Sequence, residues 1–111
     1  MSAAEDALLG AVTRAGETVL VSLPLTGGVL GGGGALAVSA LSVWLAQPQL
    51  LGGASTASVP RTELRAASAR RTRFGGHVLE LELGGGRIRL GTRADAADVE
   101  ELLRVLDVPR G

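Results

Sequence analysis

Residues 18–60 contain no ionisable side chain, a run of 43 positions bounded by Glu17 and Arg61. A stretch of that length and polarity has two physical solutions. It crosses a bilayer, or it supplies buried strands and glycine-rich corners to a small β structure. The outer segments are charged and periodic. Acidic and basic residues number eleven each, so no net field draws the chain toward nucleic acid or anionic lipid. Every basic residue is arginine. With no cysteine, disulfides, thiolate metal sites and cysteine nucleophiles are excluded. A length of 111 residues suits one domain with one modest core, which must be built from Leu, Val, Ile and Ala because Trp44 and Phe74 are the only aromatics. The start, MSAAEDALL, is acidic where a signal peptide is basic, which argues against export and for the cytoplasm.

Ser2 and Glu5 fit a capping box, and Leu8, Leu9 and Val12 recur on one face, so a helix is expected over 3–14 within an N-terminal segment 1–15. ETVLVSLPL (17–25) reads as a strand with Pro24 at its edge. TGGVLGGGG (26–34) holds six glycines in nine positions and reads as a loop. ALAVSALSVWLA (35–46) is one long strand, or two split near Ser39 and Ser42. A turn region is expected over 47–58, followed by an extended stretch with a helical or turn-like step at 60–63.

HVLELEL (77–83) alternates with period two, and RIRL (87–90) does so again after three glycines. A two-residue Gly84-Gly85 turn makes opposing residue numbers sum to 169. Leu81 then meets Ile88 and Leu79 meets Leu90 on one face, while Glu82 meets Arg87 and Glu80 meets Arg89 on the other. A similar Gly75-Gly76 turn places Arg71 opposite Glu80, giving an Arg71–Glu80–Arg89 ladder, and points Arg70 inward against Leu81. Thr92 is expected to cap a helix over 93–107, with Val99, Leu102, Leu103 and Leu106 as its apolar stripe and Pro109 as its stop.

In order, these elements resemble the PH/GRAM superfamily, a strongly bent antiparallel barrel of about seven strands plugged at one end by a C-terminal amphipathic helix. GETVLVSLPL resembles its first strand and GGALAVSALSVWLAQP its second hairpin. SVPRTELRAASA resembles the start of its second sheet. HVLELELGGGRIRLGTRADAADVEELLRVL is similar to its closing hairpin and helix. The likeness covers residues 16–107, with barrel strands over 16–92, and rests on the ordered set. Ser39-Ala40-Leu41-Ser42 departs from the charged or Asn residues the family often has in that turn. The resemblance implies a single-domain, mainly β protein with α, acting as a non-enzymatic binding or scaffolding module on a protein partner, a membrane surface, or both.

Where PH domains bind phosphoinositides, the first loop supplies basic residues; here it supplies none, though Val29 and Leu30 at its tip offer a wedge for a membrane or partner. The local basic excess is Arg61, Arg65, Arg70, Arg71 and Arg73, a candidate contact for phosphate or an acidic partner. The competing reading makes these arginines part of a cross-strand ladder, each surface pair contributing about 0–1 kcal/mol. Too few aromatics are present to stack bases, so nucleic acid is not expected. A lone His77 makes no metal site. Arginines opposite Glu80 and Glu82 favour the carboxylate form, whereas a general acid needs a protonated carboxyl. No cofactor and no catalytic residue is expected. Two other classes stay open. One is a single-span membrane protein with residues 20–46 in the bilayer, a length exceeding the roughly 20 residues a span needs. The other is a structural subunit that self-assembles through strand edges.

Overall fold

The computed structural model describes residues 3–26, 33–48, 54–73 and 75–109. Helix α1 (Ala3–Arg14) opens the chain, with Glu5 and Asp6 in its first turn and Arg14 in its last, a distribution that suits the helix dipole. Its expected cap, Ser2, lies outside the described residues. The helix closes on a Schellman arrangement. Glu17 N–H donates to Val12 O (3.1 Å) and Gly16 N–H to Thr13 O (2.9 Å), with Gly16 at φ +78°.

Two antiparallel sheets follow, of order β1-β2-β3-β4 and β5-β6-β7. The first contains β1 (Val19–Pro24), β2 (Ala35–Ser39), β3 (Ser42–Pro48) and β4 (Ala54–Pro60). The second contains β5 (Leu64–Arg71), β6 (His77–Leu83) and β7 (Gly86–Thr92). A 3-10 turn, Arg61–Glu63, makes the corner between them, at the step expected from the sequence. Helix α2 (Ala96–Leu106) then packs on β1, β2 and β5. The chain is therefore mainly β with two helices. Among the described residues the sheets do not close into a barrel; one isolated bridge, Thr26 to Gly91, joins the first sheet to the second.

The charge-free run is explained by burial on both faces of β2. Leu36 and Val38 enter a main core with Leu23, Leu25, Val43, Leu64, Leu79 and Leu81. Into the same core α2 inserts Val99, Leu102, Leu103 and Leu106, the expected stripe. Ala35 and Ala37 face the other way, toward α1, with Trp44 and Ala46; Ala4, Leu8, Ala11 and Val12 cover them. Small residues on the helix side let α1 approach, and large ones fill the space between the sheets. An ion at any of these positions would be stripped of water without a partner. The described part of residues 20–46 consists of strands and their connections, and no described helix is long and apolar enough to cross a membrane.

Several expectations require correction. The region 47–58 is not all turn: β3 runs to Pro48 and β4 begins at Ala54, although ASTASVP lacks the large apolar alternation that marks a strand. Thr92 does not cap α2. Asp95 does, its Oδ1 accepting from Asp98 N–H at 2.9 Å. Thr92 instead ends β7, buried, donating its hydroxyl to Pro24 O (2.6 Å) and accepting from Ala94 N–H (3.1 Å). The helix begins at Ala96 and not at 93; its end agrees with expectation, with Asp107 as a left-handed cap at φ 51° two residues before Pro109.

Candidate functional site

The β6–β7 hairpin has the expected register: Leu79 pairs with Leu90, Glu80 with Arg89, Leu81 with Ile88 and Glu82 with Arg87. On its outer face, Glu80 accepts from Arg87 (3.0 Å) and Arg89 (3.4 Å). Arg87 thus reaches diagonally to Glu80 although it stands opposite Glu82.

The β5–β6 register is shifted from expectation. Arg71 pairs with His77, and Ser68, not Arg71, stands opposite Glu80. The three-strand Arg71–Glu80–Arg89 ladder is therefore absent. Arg70 faces Val78 instead of Leu81, and it is exposed. The physical reason is the loop. Thr72 N–H donates to Gly76 O at 3.1 Å and the Thr72 hydroxyl bonds Gly75 O, so the chain reverses over five residues, 72–76, instead of two. Gly75 and Gly76 take φ of +84° and +81°. A Cβ on Gly76 would stand 2.5 Å from Thr92 O, so only glycine lets the loop lie against the end of β7.

This shift creates a row across the second sheet, Arg71–His77–Thr92, on the face shared with Leu79 and Leu81. The row ends in a cleft of about 550 Å³ lined by Thr26, Thr72, His77, Thr92, Arg93 and neighbouring backbone. Thr26 enters from the first sheet, donating its N–H to Gly91 O at 2.7 Å. Three parts distant in sequence therefore meet here: the end of β1, the β5–β6 loop and the β7–α2 junction. The Thr72 and Thr92 hydroxyls are committed to backbone carbonyls. His77 is half-buried, and its Nδ1 is buried with no hydrogen-bond partner among the described residues, a state that costs about 1–3 kcal/mol.

The arginines named from the sequence divide. Arg61 is occupied internally: its guanidinium donates to Val105 O (2.6 Å), Leu106 O (3.2 Å) and Ser39 O (3.3 Å), tying the end of α2 to the β2–β3 turn. Arg65 sits at an irregularity of β5 between Leu64 and Ala66, exposed and away from the cleft lining. Arg71, paired with His77, and Arg73 are both exposed, and neither lines the cleft. Val29 and Leu30 lie outside the described residues. Arg93, Thr26 and His77 were not anticipated as site residues. The Gly75-Gly76 pair marks the loop in the sequence, but nothing there brings Thr26 or Arg93 to it.

No carboxylate lines the cleft, and among the described residues no three His, Cys, Asp or Glu side chains gather as metal ligands. The titratable side chains of the lining are one guanidinium, Arg93, and one imidazole, His77. No protein-family model, curated protein or solved structure matches the chain.

Proposed function

We propose that this chain is a non-enzymatic, PH/GRAM-like binding module that engages a protein partner or a membrane surface through the rim of its second sheet. The observation that carries the reading is a cleft whose lining includes Arg93 and His77 but no carboxylate. The division into four and three antiparallel strands with a following apolar-faced helix supports the family resemblance. A hydrolytic site of the Ser/His/Asp kind needs a carboxylate to orient the imidazole, and His77 has none within the lining.

Co-sedimentation of the purified chain with neutral and anionic vesicles tests the membrane branch. Pelleting with anionic vesicles alone, reversed by salt, supports it. Retention in the supernatant with both leaves the protein partner. Substrate turnover lost on changing His77 or Glu80 would overturn the non-enzymatic reading altogether.

One observation favours a second reading, self-assembly. β4 is an edge strand whose residues Ser55, Thr56, Ala57 and Ser58 are exposed and uncharged, so no side-chain charge guards its free backbone groups. A mass that stays monomeric by light scattering at high concentration removes it.

A further inference from the structure

Burial accounts for the missing charges of β2 but not for those of β4. Ser55, Thr56, Ala57 and Ser58 are exposed at the end of the first sheet, where an ion would keep its water, yet the charge-free run continues through them to Pro60. Among the described residues the two sheets have four edge strands, β1, β4, β5 and β7, and three of these are closed to further pairing. β1 is interrupted by a register irregularity between Val19 and Val21 and ends on Pro24, and beyond it Thr26 is bridged to Gly91. β5 has an irregularity between Leu64 and Ala66, exposes Arg65, Arg70 and Arg71, and has Ala67 N–H taken by Pro109 O at 3.0 Å. β7 exposes Arg87 and Arg89. β4 has none of these devices, and its register with β3 is unbroken from Ala54 to Pro60.

The free backbone groups follow from the ladder. Arg61 N–H donates to Leu41 O at 2.9 Å, which continues the β3–β4 register by one pair. An antiparallel ladder alternates, so Ser55, Ala57 and Val59 bond toward β3 while Thr56 and Ser58 direct N–H and C=O outward. Pro60 falls in the outward set and, having no N–H, ends the usable edge.

We propose that β4 pairs with β4 of a second copy of this chain, antiparallel about a two-fold axis near Thr56 and Ala57, to give one continuous eight-stranded sheet. This pairing rests on the self-assembly reading and gives it a site and a limit. Symmetry and charge select the second copy as the occupant. Near a two-fold axis each residue meets its own counterpart, so a charge there would face a like charge. An edge that pairs with itself is therefore uncharged at its centre, as this one is. A foreign strand would be recognised through pockets for alternate side chains and through complementary charge, and Ser, Thr and Ala supply neither. Because β4 is the one open edge among the described residues, pairing consumes it and growth stops at the dimer instead of running on into a fibre.

Sedimentation equilibrium of the intact chain over a wide concentration range should show a reversible monomer–dimer equilibrium. Ala57→Lys and Ala57→Glu should each weaken the dimer at least about tenfold, and mixing the two variants should restore it as a heterodimer. Ser22→Lys, at an exposed position of β1, should leave it within about twofold. Trp44 emission at its wild-type position shows that the variants fold. Hydrogen exchange of the wild type needs no variant: the Thr56 and Ser58 amides should gain protection as concentration rises, while Ala57 and Val59 are protected throughout.

A wild type that stays monomeric overturns the dimer and the self-assembly reading together, and leaves the binding-module reading standing. A dimer undiminished in Ala57→Lys overturns the β4 site alone. So do charge variants whose mixture fails to recover the dimer, species larger than a dimer, and Thr56 and Ser58 amides whose exchange ignores concentration.

Discussion

Arg61 and Ser39 show how single side chains hold the corners of this small fold. Arg61 joins the carbonyl end of α2 to the β2–β3 turn, and cations are favoured at a helix C-terminus. Arg61→Ala should lower unfolding free energy by about 1–3 kcal/mol in urea titration, because carbonyls of Val105 and Leu106 lose their donor. Ser39 is fully buried in β2 and accepts from Trp44 Nε1 at 3.1 Å while bonding the Glu17 carboxylate. Ser39→Ala leaves an indole N–H and a half-buried carboxylate without their partner. A loss of similar size is expected, together with a changed Trp44 emission maximum; an unchanged midpoint and spectrum would refute the role. Neither residue could be weighed correctly from the sequence. Arg61 looked like one more member of a basic cluster, because its partners lie 44 and 45 positions away.

Helices and hairpins were legible where both faces carried a code. The 77–92 hairpin pairs leucines and isoleucine on one side and opposite charges on the other, so only one register satisfies both. The β5–β6 pairing had no such check: alanines and serines of β5 fit several registers, and Gly75-Gly76 suggested a tight turn that Thr72 in fact widens. β4 escaped because Ser, Thr and Ala give no periodic signal. The cleft was not visible for the same reason: the arginines conspicuous in sequence do not line it, and Thr26, His77 and Arg93 meet only through tertiary structure. On α2, Arg104 donates to Glu101 through Nε at 3.1 Å and through Nη2. This hydrogen bond holds the Glu101 carboxyl below its ordinary range. Its folded pKa is depressed, so the stabilisation is present above the unfolded carboxylate range and fades as pH falls through the folded value. The melting temperatures of wild type and Arg104→Gln should therefore converge in acid; a constant difference from neutral to acid pH would reject the pair. The effect should be small, since both groups are solvent-exposed.

At the scale of the molecule, β2 belongs to two cores at once. Leu36 and Val38 pack beneath α2, while Ala35 and Ala37 pack beneath α1 with Trp44. A strand whose alternate residues serve opposite faces cannot release one face without disturbing the other, so the two helices should unfold in one cooperative step. Trp44 reports the α1 side, and His77, on the strand that carries Leu79 and Leu81, reports the other. Their thermal or urea transitions are expected to coincide. Leu8→Ala, which opens a cavity under α1, should destabilise the chain by about 2–5 kcal/mol and move both transitions together. If α1 were a separable appendage, the same substitution would advance the Trp44 transition and leave His77 where it was. That outcome would divide the molecule into a sheet sandwich and a loosely held helix, and burial on the α1 side would then no longer account for the small, uncharged residues Ala35 and Ala37.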